Sequence, residues 1–452
     1  MKRTETRWLN SLCLIVLAGL PTAAGALETV PLERPCAVMV KPPEKPVAPT
    51  AISRADPKKS KSLKKMKVKN QNQYGCCWIS SDLGEWERQL AAKLGRPIKL
   101  SENYMILASL FFRVEEAVYY GNTIFQGGWV ETADWMATHI GLAPESACHW
   151  KVDLRDKYVG NEILAFLNGE IADFQARLAD LKAHGGTAKE AWDLGEKQKL
   201  KLMKYLRDRV GNFPTKFVVG GKQYTPNSFS KILVDVDKVD AENKWTEKWV
   251  RFKLIPVEPR INPAGNVGAT IVAQGQGVIG LYPENWEKLP NAKKYFQGAE
   301  KPTAEMMPLF QLYGKSHVQE FVAAKAPLAE IHNRIVDTLD QGQSLFLGFF
   351  VPRDLIRTES GIMSIAAFGK TIEEAKKAKI AGGHAVLITG YYKDAEGNLL
   401  GFEIQNSWGK KVGINGYFQM DLDFFDTFMT DVEAHATMKF DVSGKPVVET
   451  VR

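Results

Sequence analysis

Cysteine is scarce in this chain, with five in 452 residues. That is too few for a disulfide-stapled scaffold at this length. Long hydrophobic runs are missing too. Beyond residue 20 no apolar stretch approaches the roughly 20 residues that a membrane-spanning helix needs. No heptad, G-X-Y period or internal repeat appears, which excludes a long coiled coil, a collagen-like rod and a solenoid. Acidic residues are not in excess: 52 Asp and Glu stand against 59 Lys and Arg, a formal net charge of +7. Much of the basic surplus is local. Arg54, Lys58, Lys59, Lys61, Lys64, Lys65, Lys67 and Lys69 face Asp56 alone. No aromatic is interleaved with them, so the run is a poor nucleic-acid signal and no nucleic-acid partner is expected. It reads as a solvated linker able to touch anionic cell-envelope surfaces.

What is present is core material. Apolar residues make up 45% of the chain and aromatics 10%, which excludes a mostly disordered protein. At about 150 residues per domain the length suggests two or three domains' worth of chain. The start reads as a secretory signal peptide over residues 1–26. Lys2, Arg3 and Arg7 form a basic region, Trp8 to Leu20 is a short apolar run, and Ala24-Gly25-Ala26 is an A-x-A cleavage site. The run is too short to span a bilayer comfortably, so export to the periplasm or medium is expected rather than an uncleaved anchor. Residues 27–65 are proline-dotted linker, and order is expected to begin near Met66.

From Cys77 the pattern turns helical: Ile79, Leu83, Trp86 and Leu90 share one face, and Gly95 and Pro97 stop it. Ser101 is an expected N-cap for a second helix, and Gly127-Gly128 a turn before a third that ends near Ile140. Residues 151–336 read as a large mixed insertion. Phe166, Ile171, Phe174 and Leu178 mark a helical face, Leu200 to Val210 a further helix, and Lys216 to Tyr224 a hairpin. Phe252 to Leu254 and Ala269 to Ala273 are candidate strands, and Ala323 to Leu339 is a helix. Beyond Gly342 strands are expected at Ser344–Val351, Ala385–Tyr392, Leu400–Gln405 and Tyr417–Met420, with a charged helix over Thr371–Lys379. Helices first and strands last give an α+β fold class.

The chemistry starts at Gly75-Cys76-Cys77-Trp78. A thiol in the first turn of a helix sits where the helix dipole favours thiolate, the nucleophilic form. A cysteine nucleophile needs a base, and the base an orienting group. Gly383-His384-Ala385 puts a histidine at a strand start, and Asn406-Ser407-Trp408-Gly409 an amide at the end of the next strand. Adjacent antiparallel strands can bring the two together, with the Asn406 carbonyl fixing the His384 tautomer. Two rival signals are weaker. Gly275-x-Gly277-x-x-Gly280 matches a dinucleotide fingerprint, but Pro283 falls where the helix should begin and no βαβ unit surrounds it, so it reads as a loop. Cys76-Cys77 with Cys148-His149 lacks zinc-ligand spacing, and a metal would consume the nucleophile; neither a metal nor another cofactor is implied.

The segment Val68-Lys69-Asn70-Gln71 followed by Gly75-x-Cys77-Trp78 resembles the active-site segment of the papain-like cysteine peptidases (the C1 family). Asn406-Ser407-Trp408-Gly409 with Gly413, Asn415, Gly416 and Tyr417 resembles that family's C-terminal motif, and Leu100-Ser101-Glu102 and Gly127-Gly128-Trp129 match in the expected order. Phe213-Pro214 through Phe229 is similar to the bleomycin hydrolase and aminopeptidase C branch. The resemblance implies a two-lobed papain-like fold: a helical lobe at 66–150, the insertion at 151–336, a β lobe at 337–438 and a tail at 439–452. It implies Cys77 as nucleophile, His384 as base and acid, Asn406 as its orienter and Gln71 as the side-chain oxyanion donor. Gly127 and Gly128 would present backbone to a peptide substrate, Trp408 would shield the His384–Asn406 bond, and Trp78 would give structural support.

Three departures stand out. Gly383 replaces the family's frequent Asp or Asn. Tyr74 and Phe125 occupy the positions of a typical papain disulfide, which suggests aromatic packing in its place. Cys76 stands where a small residue or arginine is usual, and pairing among Cys36, Cys76 and Cys148 stays open. Residues 27–65 are too short and proline-rich for the usual helical propeptide. The tail Lys439–Arg452 is short for the cleft-blocking ruler of the bleomycin hydrolase branch, so aminopeptidase and endopeptidase action both remain open, as does the oligomerisation that branch suggests. The expected function is peptide-bond hydrolysis on a peptide or protein substrate; the alternative is a catalytically inactive papain-like binding or scaffold protein of the cell envelope.

Overall fold

The computed structural model describes residues 49–234, 238–240, 245–257 and 321–441. The signal-peptide stretch, Cys13, Cys36, the Ala269–Ala273 strand, the Gly275–Gly280 loop and residues 442–452 lie outside the described residues. A short strand β1 (Lys61–Ser62) precedes three helices, α1 (Cys77–Leu94), α2 (Glu102–Tyr120) and α3 (Val130–His139). Two long helices follow, α4 (Lys157–Ala183) and α5 (Ala188–Val210), then a hairpin of β2 (Phe217–Val219) and β3 (Lys222–Tyr224), and α6 (Pro226–Val234). The expected signals at Ser101 and Gly95 act, and a capping box adds another. Ser101 accepts from the Tyr104 N–H, Gly95 closes α1 in the left-handed region at φ 67°, and a Thr187–Glu190 capping box opens α5.

The rest is mostly sheet. Strands β4 (Lys238–Asp240), β5 (Trp245–Pro256) and β6 (Phe321–Ala326) lead to helix α7 (Leu328–Asp340). After it come β7 (Leu345–Pro352), β8 (Ile356–Arg357), β9 (Ile362–Met363) and a one-turn helix α8 (Ile372–Ala375). The described chain ends with β10 (Ile380–Lys393), β11 (Leu399–Gln405), β12 (Tyr417–Asp421), helix α9 (Leu422–Phe428) and β13 (Met429–Asp441). The strand order is β4-β5-β13-β7-β10-β11-β12-β9-β8, with β6 parallel to β5 and β1 on the far end of β10. Strand β13 pairs on one side with β5, from Leu254↔Val432 to Trp245↔Asp441, and on the other with β7.

Two cores result. One gathers Ile79, Leu83, Trp86 and Leu90 of α1 with α2 to α5; the other lies on the opposite face of the sheet beneath α7 and α9. The period of β7 and β10 sorts them: Phe346, Ala385 and Leu387 face the helices, while Leu347, Phe349, Val386 and Ile388 face the second core.

Several expectations are corrected. Ala323 to Ala326 belongs to a strand, because Pro327 cannot continue a ladder and its φ of −60° suits a helix start; only the remainder of that stretch is helical. The charged helix at Thr371 lasts one turn: Lys376, Lys377 and Lys379 follow, with little apolar face to hold it. Phe166 is 37% exposed and stacks on Tyr205, while Ile163, Leu167, Ile171, Phe174 and Leu178 form the buried stripe of α4. Order begins before Met66, since Ile52 is buried and the Leu63 N–H donates to Thr389 O at 2.8 Å. Segments read as an insertion supply β5 and β6 to the same sheet that carries His384.

Between α1, α3 and the sheet runs a buried seam of charge. Arg251 of β5 meets Asp82 at 3.4 Å, Glu433 at 3.3 Å and Asp134 at 3.9 Å. Lys253 meets Glu131 at 2.6 Å, Glu433 at 3.0 Å and Asp431 at 3.3 Å, and His435 Nε2 lies 2.8 Å from Asp134. Burial pushes Asp82 and Glu433 well above the usual carboxylate range. Burial opposes ionisation of Asp134 as well, yet His435 and Arg251 hold its carboxyl down, to about 2.

Candidate active site

The site is assembled by two stitches between distant segments. The Gln71 N–H donates to Ser407 O at 2.8 Å and the Gly409 N–H to Lys69 O at 2.9 Å, so Lys69–Gln71 runs against Ser407–Gly409. Gly409 has φ 82°, and a Cβ there would lie 3.1 Å from Asn70 Cγ, so the approach requires glycine. The second stitch joins α1 to β10. Ser81 Oγ lies 2.9 Å from Cys77 O and 2.7 Å from Ala385 O. A hydroxyl has one proton, so it donates to one of these carbonyls at a time, and only the bond to Ala385 crosses between elements. Cys77 opens α1, and Ala385 follows His384 on β10.

His384 and Asn406 meet as the strand pattern implies. Both are buried, and His384 Nε2 lies 2.8 Å from Asn406 Oδ1. The amide oxygen also accepts the Ser407 N–H at 2.7 Å, which identifies it as the carbonyl side. The ring nitrogen facing it is therefore the protonated one, and Nδ1 is the basic nitrogen; it is buried without a hydrogen-bond partner among the described residues. The Asn406 N–H donates to Gly416 O at 3.0 Å, so the turn through Asn415 (φ 56°) and Gly416 holds the amide's backbone. Trp408 stacks on the imidazole, centroids 4.9 Å apart at 19°, and Phe349 presents an edge from β7 at 5.6 Å. Burial in this aromatic slot lowers the His384 pKa to about 4, against a smaller upward pull from the Asn406 bond. The imidazole is thus neutral near pH 7.

Gln71 is fully buried and its amide is pinned at both ends. Ser407 Oγ donates to Oε1 at 2.6 Å, and Nε2 donates to Tyr74 O at 3.0 Å. One Nε2 proton is thereby used and the other remains. Around Cys77, the Gly75 N–H donates to Gln126 Oε1 at 2.8 Å and Trp78 Nε1 to Gln126 O at 3.1 Å. Trp78 lies flat against Gly128, where a Cβ would come within 2.5 Å of the indole; that contact explains the glycine. The Gly127 carbonyl already accepts from Arg113, so its oxygen is engaged inside the protein.

Tyr74 packs on Gly160, and Phe125 carries the Arg113 guanidinium 4.0 Å from its ring centroid. Cys76 Sγ lies 4.0 Å from Ser80 Oγ, and Cys148 is a thiol within 3.5 Å of Pro144 O, pushed up to about 12 chiefly by burial. Sequence reasoning passed over Ser81 and the bond from Ser407 to Gln71. The only signal for the first was a serine one turn beyond Cys77.

Residues 307–441, which include His384 and Asn406, match the peptidase C1-like family. The chain has a papain-like fold, and this stretch of it is similar to the C1 peptidases. The chain is similar to two curated relatives over a limited stretch. It is 30% identical over 105 residues to cysteine proteinase 1, mitochondrial, of Saccharomyces cerevisiae (strain JAY291), covering 21% of this chain and 22% of that protein. It is 30% identical over 111 residues to aminopeptidase C of Lactobacillus helveticus, covering 22% of this chain and 24% of that one. The matched stretch thus spans less than a quarter of either relative's length. The papain-like fold is shared much more widely than the sequence. The crystal structure of PepW from Lactobacillus rhamnosis HN001 superimposes with a TM-score of 0.57 at 18% identity, over 85% of this chain and 83% of that one.

Proposed function

We propose that this papain-like protein hydrolyses peptide bonds through a thioester on Cys77. Neutral His384 takes the Cys77 thiol proton on Nδ1, and the thiolate attacks the substrate carbonyl carbon. As the C–S bond forms, the carbonyl π pair moves onto oxygen, where the Cys77 N–H and the remaining Gln71 Nε2–H donate to it. Collapse breaks the C–N bond, and the leaving amine takes the proton from His384 Nδ1. A water molecule then gives its proton to Nδ1 and attacks the thioester, releasing the acid; that proton returns to the sulfur as the C–S bond breaks. Asn406 Oδ1 accepts from Nε2 throughout, so it steadies the imidazolium without changing its own charge.

The observation that carries this reading is the buried 2.8 Å His384–Asn406 bond, which leaves Nδ1 as the basic nitrogen on a strand tied to the helix of Cys77. A thiol-directed probe tests it on folded protein. Selective labelling that tracks loss of peptide hydrolysis supports the nucleophile. A Cys77 that stays unlabelled while free cysteine reacts would return the chain to the scaffold reading. Comparing N-terminally blocked with free peptides separates the two enzyme versions, since cleavage of blocked peptides excludes a strict aminopeptidase. Export is part of the same proposal, tested by sequencing the N-terminus of the secreted or periplasmic product.

A further inference from the structure

A concave groove of about 820 Å³ lies between the strap of residues 63–70 and the C-terminal end of α1. Its charge is one-sided. Exposed Lys64 and Lys67 come from the strap, and exposed Arg96 and Lys99 from the loop after α1. The two carboxylates in its lining are already neutralised inside the protein: Glu87 binds Lys69 at 2.6 Å, and Glu102 binds Arg155 at 2.7 Å. Arg88 adds a further cation to the wall. Its guanidinium donates to Lys64 O at 2.7 Å and Gln405 Oε1 at 3.0 Å, both uncharged, and its Nε has no hydrogen-bond partner. The closest carboxylate, Glu85, is 4.0 Å away, and burial raises its pKa. Half-buried Leu63, Met66, Val68 and Ile98 supply an apolar floor between the cations.

We infer that this groove is a docking site for an acidic peptide segment that also carries apolar side chains. Charge complementarity fixes the sign of the occupant. The floor argues for apolar side chains, because a glycan or nucleic-acid backbone would leave it unused. Concavity argues against a flat anionic bilayer, which meets a protruding surface more readily. Asn70, the sequence neighbour of Gln71, is among its lining residues. The inference goes beyond the peptidase reading and does not depend on it.

The test is equilibrium binding to the full chain carrying Cys77→Ala, so that no turnover intervenes. The probes are short fluorescein-labelled peptides alternating Glu with Leu or Lys with Leu, read by anisotropy. The Glu peptide is expected to bind, to weaken with added salt, and to weaken at least about tenfold on Lys64→Glu, Lys67→Glu, Arg96→Glu and Lys99→Glu combined. The Lys peptide is expected not to bind. Should the reversed variant fail to fold, as judged by its thermal melt, Lys64→Gln with Lys99→Gln gives a milder reading in the same direction. Equal affinity for wild-type and substituted chains, or no binding of the Glu peptide, overturns the proposal. Capture by phosphatidylglycerol vesicles without binding of the peptide does so as well.

Discussion

Helix α1 meets the sheet along two seams that solve the same problem in opposite ways. At its N-terminal end the seam of the candidate site uses neutral groups: the Ser81 hydroxyl, the Asn406 and Gln71 amides, and a histidine that burial keeps uncharged. One turn along, the other seam buries the cations Arg251 and Lys253 among the carboxyl groups of Asp82, Asp134, Glu131 and Glu433. Neutral hydrogen bonds cost little to bury and hold direction well, which suits a base that must aim one nitrogen. Buried ions are costly unless matched, but a mismatch between lobes is then heavily penalised. The difference separates tasks: one seam orients, the other enforces register between helices and sheet.

Substitutions can break either seam alone. Cys77→Ala is expected to reduce peptide hydrolysis by on the order of 10⁴-fold or more while leaving the melting temperature nearly unchanged; a residual wild-type rate would show that the nucleophile is wrong. Arg251→Met should act on stability instead, by about 3–5 kcal/mol in urea unfolding, because it takes the cation from buried Asp82 and leaves Glu433 with Lys253 alone. A variant as stable as wild type would mean that the seam is not an enforcing one.

Asn406→Ala is expected to lower turnover by about a hundredfold, less than loss of the nucleophile, and an unchanged rate would remove its orienting role. The pH response follows from the shift on His384. Its folded pKa of about 4 lies below the unfolded value near 6.5, so the unfolded chain binds the extra proton between them. This contribution to stability is full above pH 6.5 and is lost as the pH falls towards 4. Chemical denaturation of wild type and His384→Gln across that window should differ in slope, with the variant flatter. The smallest effect belongs to Ser81→Ala, a severalfold drop in kcat with KM little changed, because Ser81 acts only by positioning β10 against α1.

What could be read in the sequence was local. The α1 stripe, the Ser101 cap and the Gly220-Gly221 hairpin depend on neighbours in the chain, and each takes its expected form. The antiparallel meeting of His384 and Asn406 was legible because one turn separates their strands. The Arg251 seam was not. Asp82 and Glu85 look like the wet face of an amphipathic helix, and their cation comes from a strand 169 residues away from Asp82. Strand β13 was missed for the same reason: its partners are β5 and β7, and no local period announces them. The one-turn α8 shows the converse limit, since a sound capping box starts a helix that has too little apolar face to continue.

The position of β13 has a consequence for how the chain is made. It inserts between β5 and β7, both of which emerge earlier from the ribosome. Until Met429–Asp441 is synthesised, two facing strand edges stand open with their amides unpaired. A nascent or truncated chain that stops short of Met429 therefore presents a ready slot for a foreign strand, and protection of that slot before release becomes a requirement of its biogenesis.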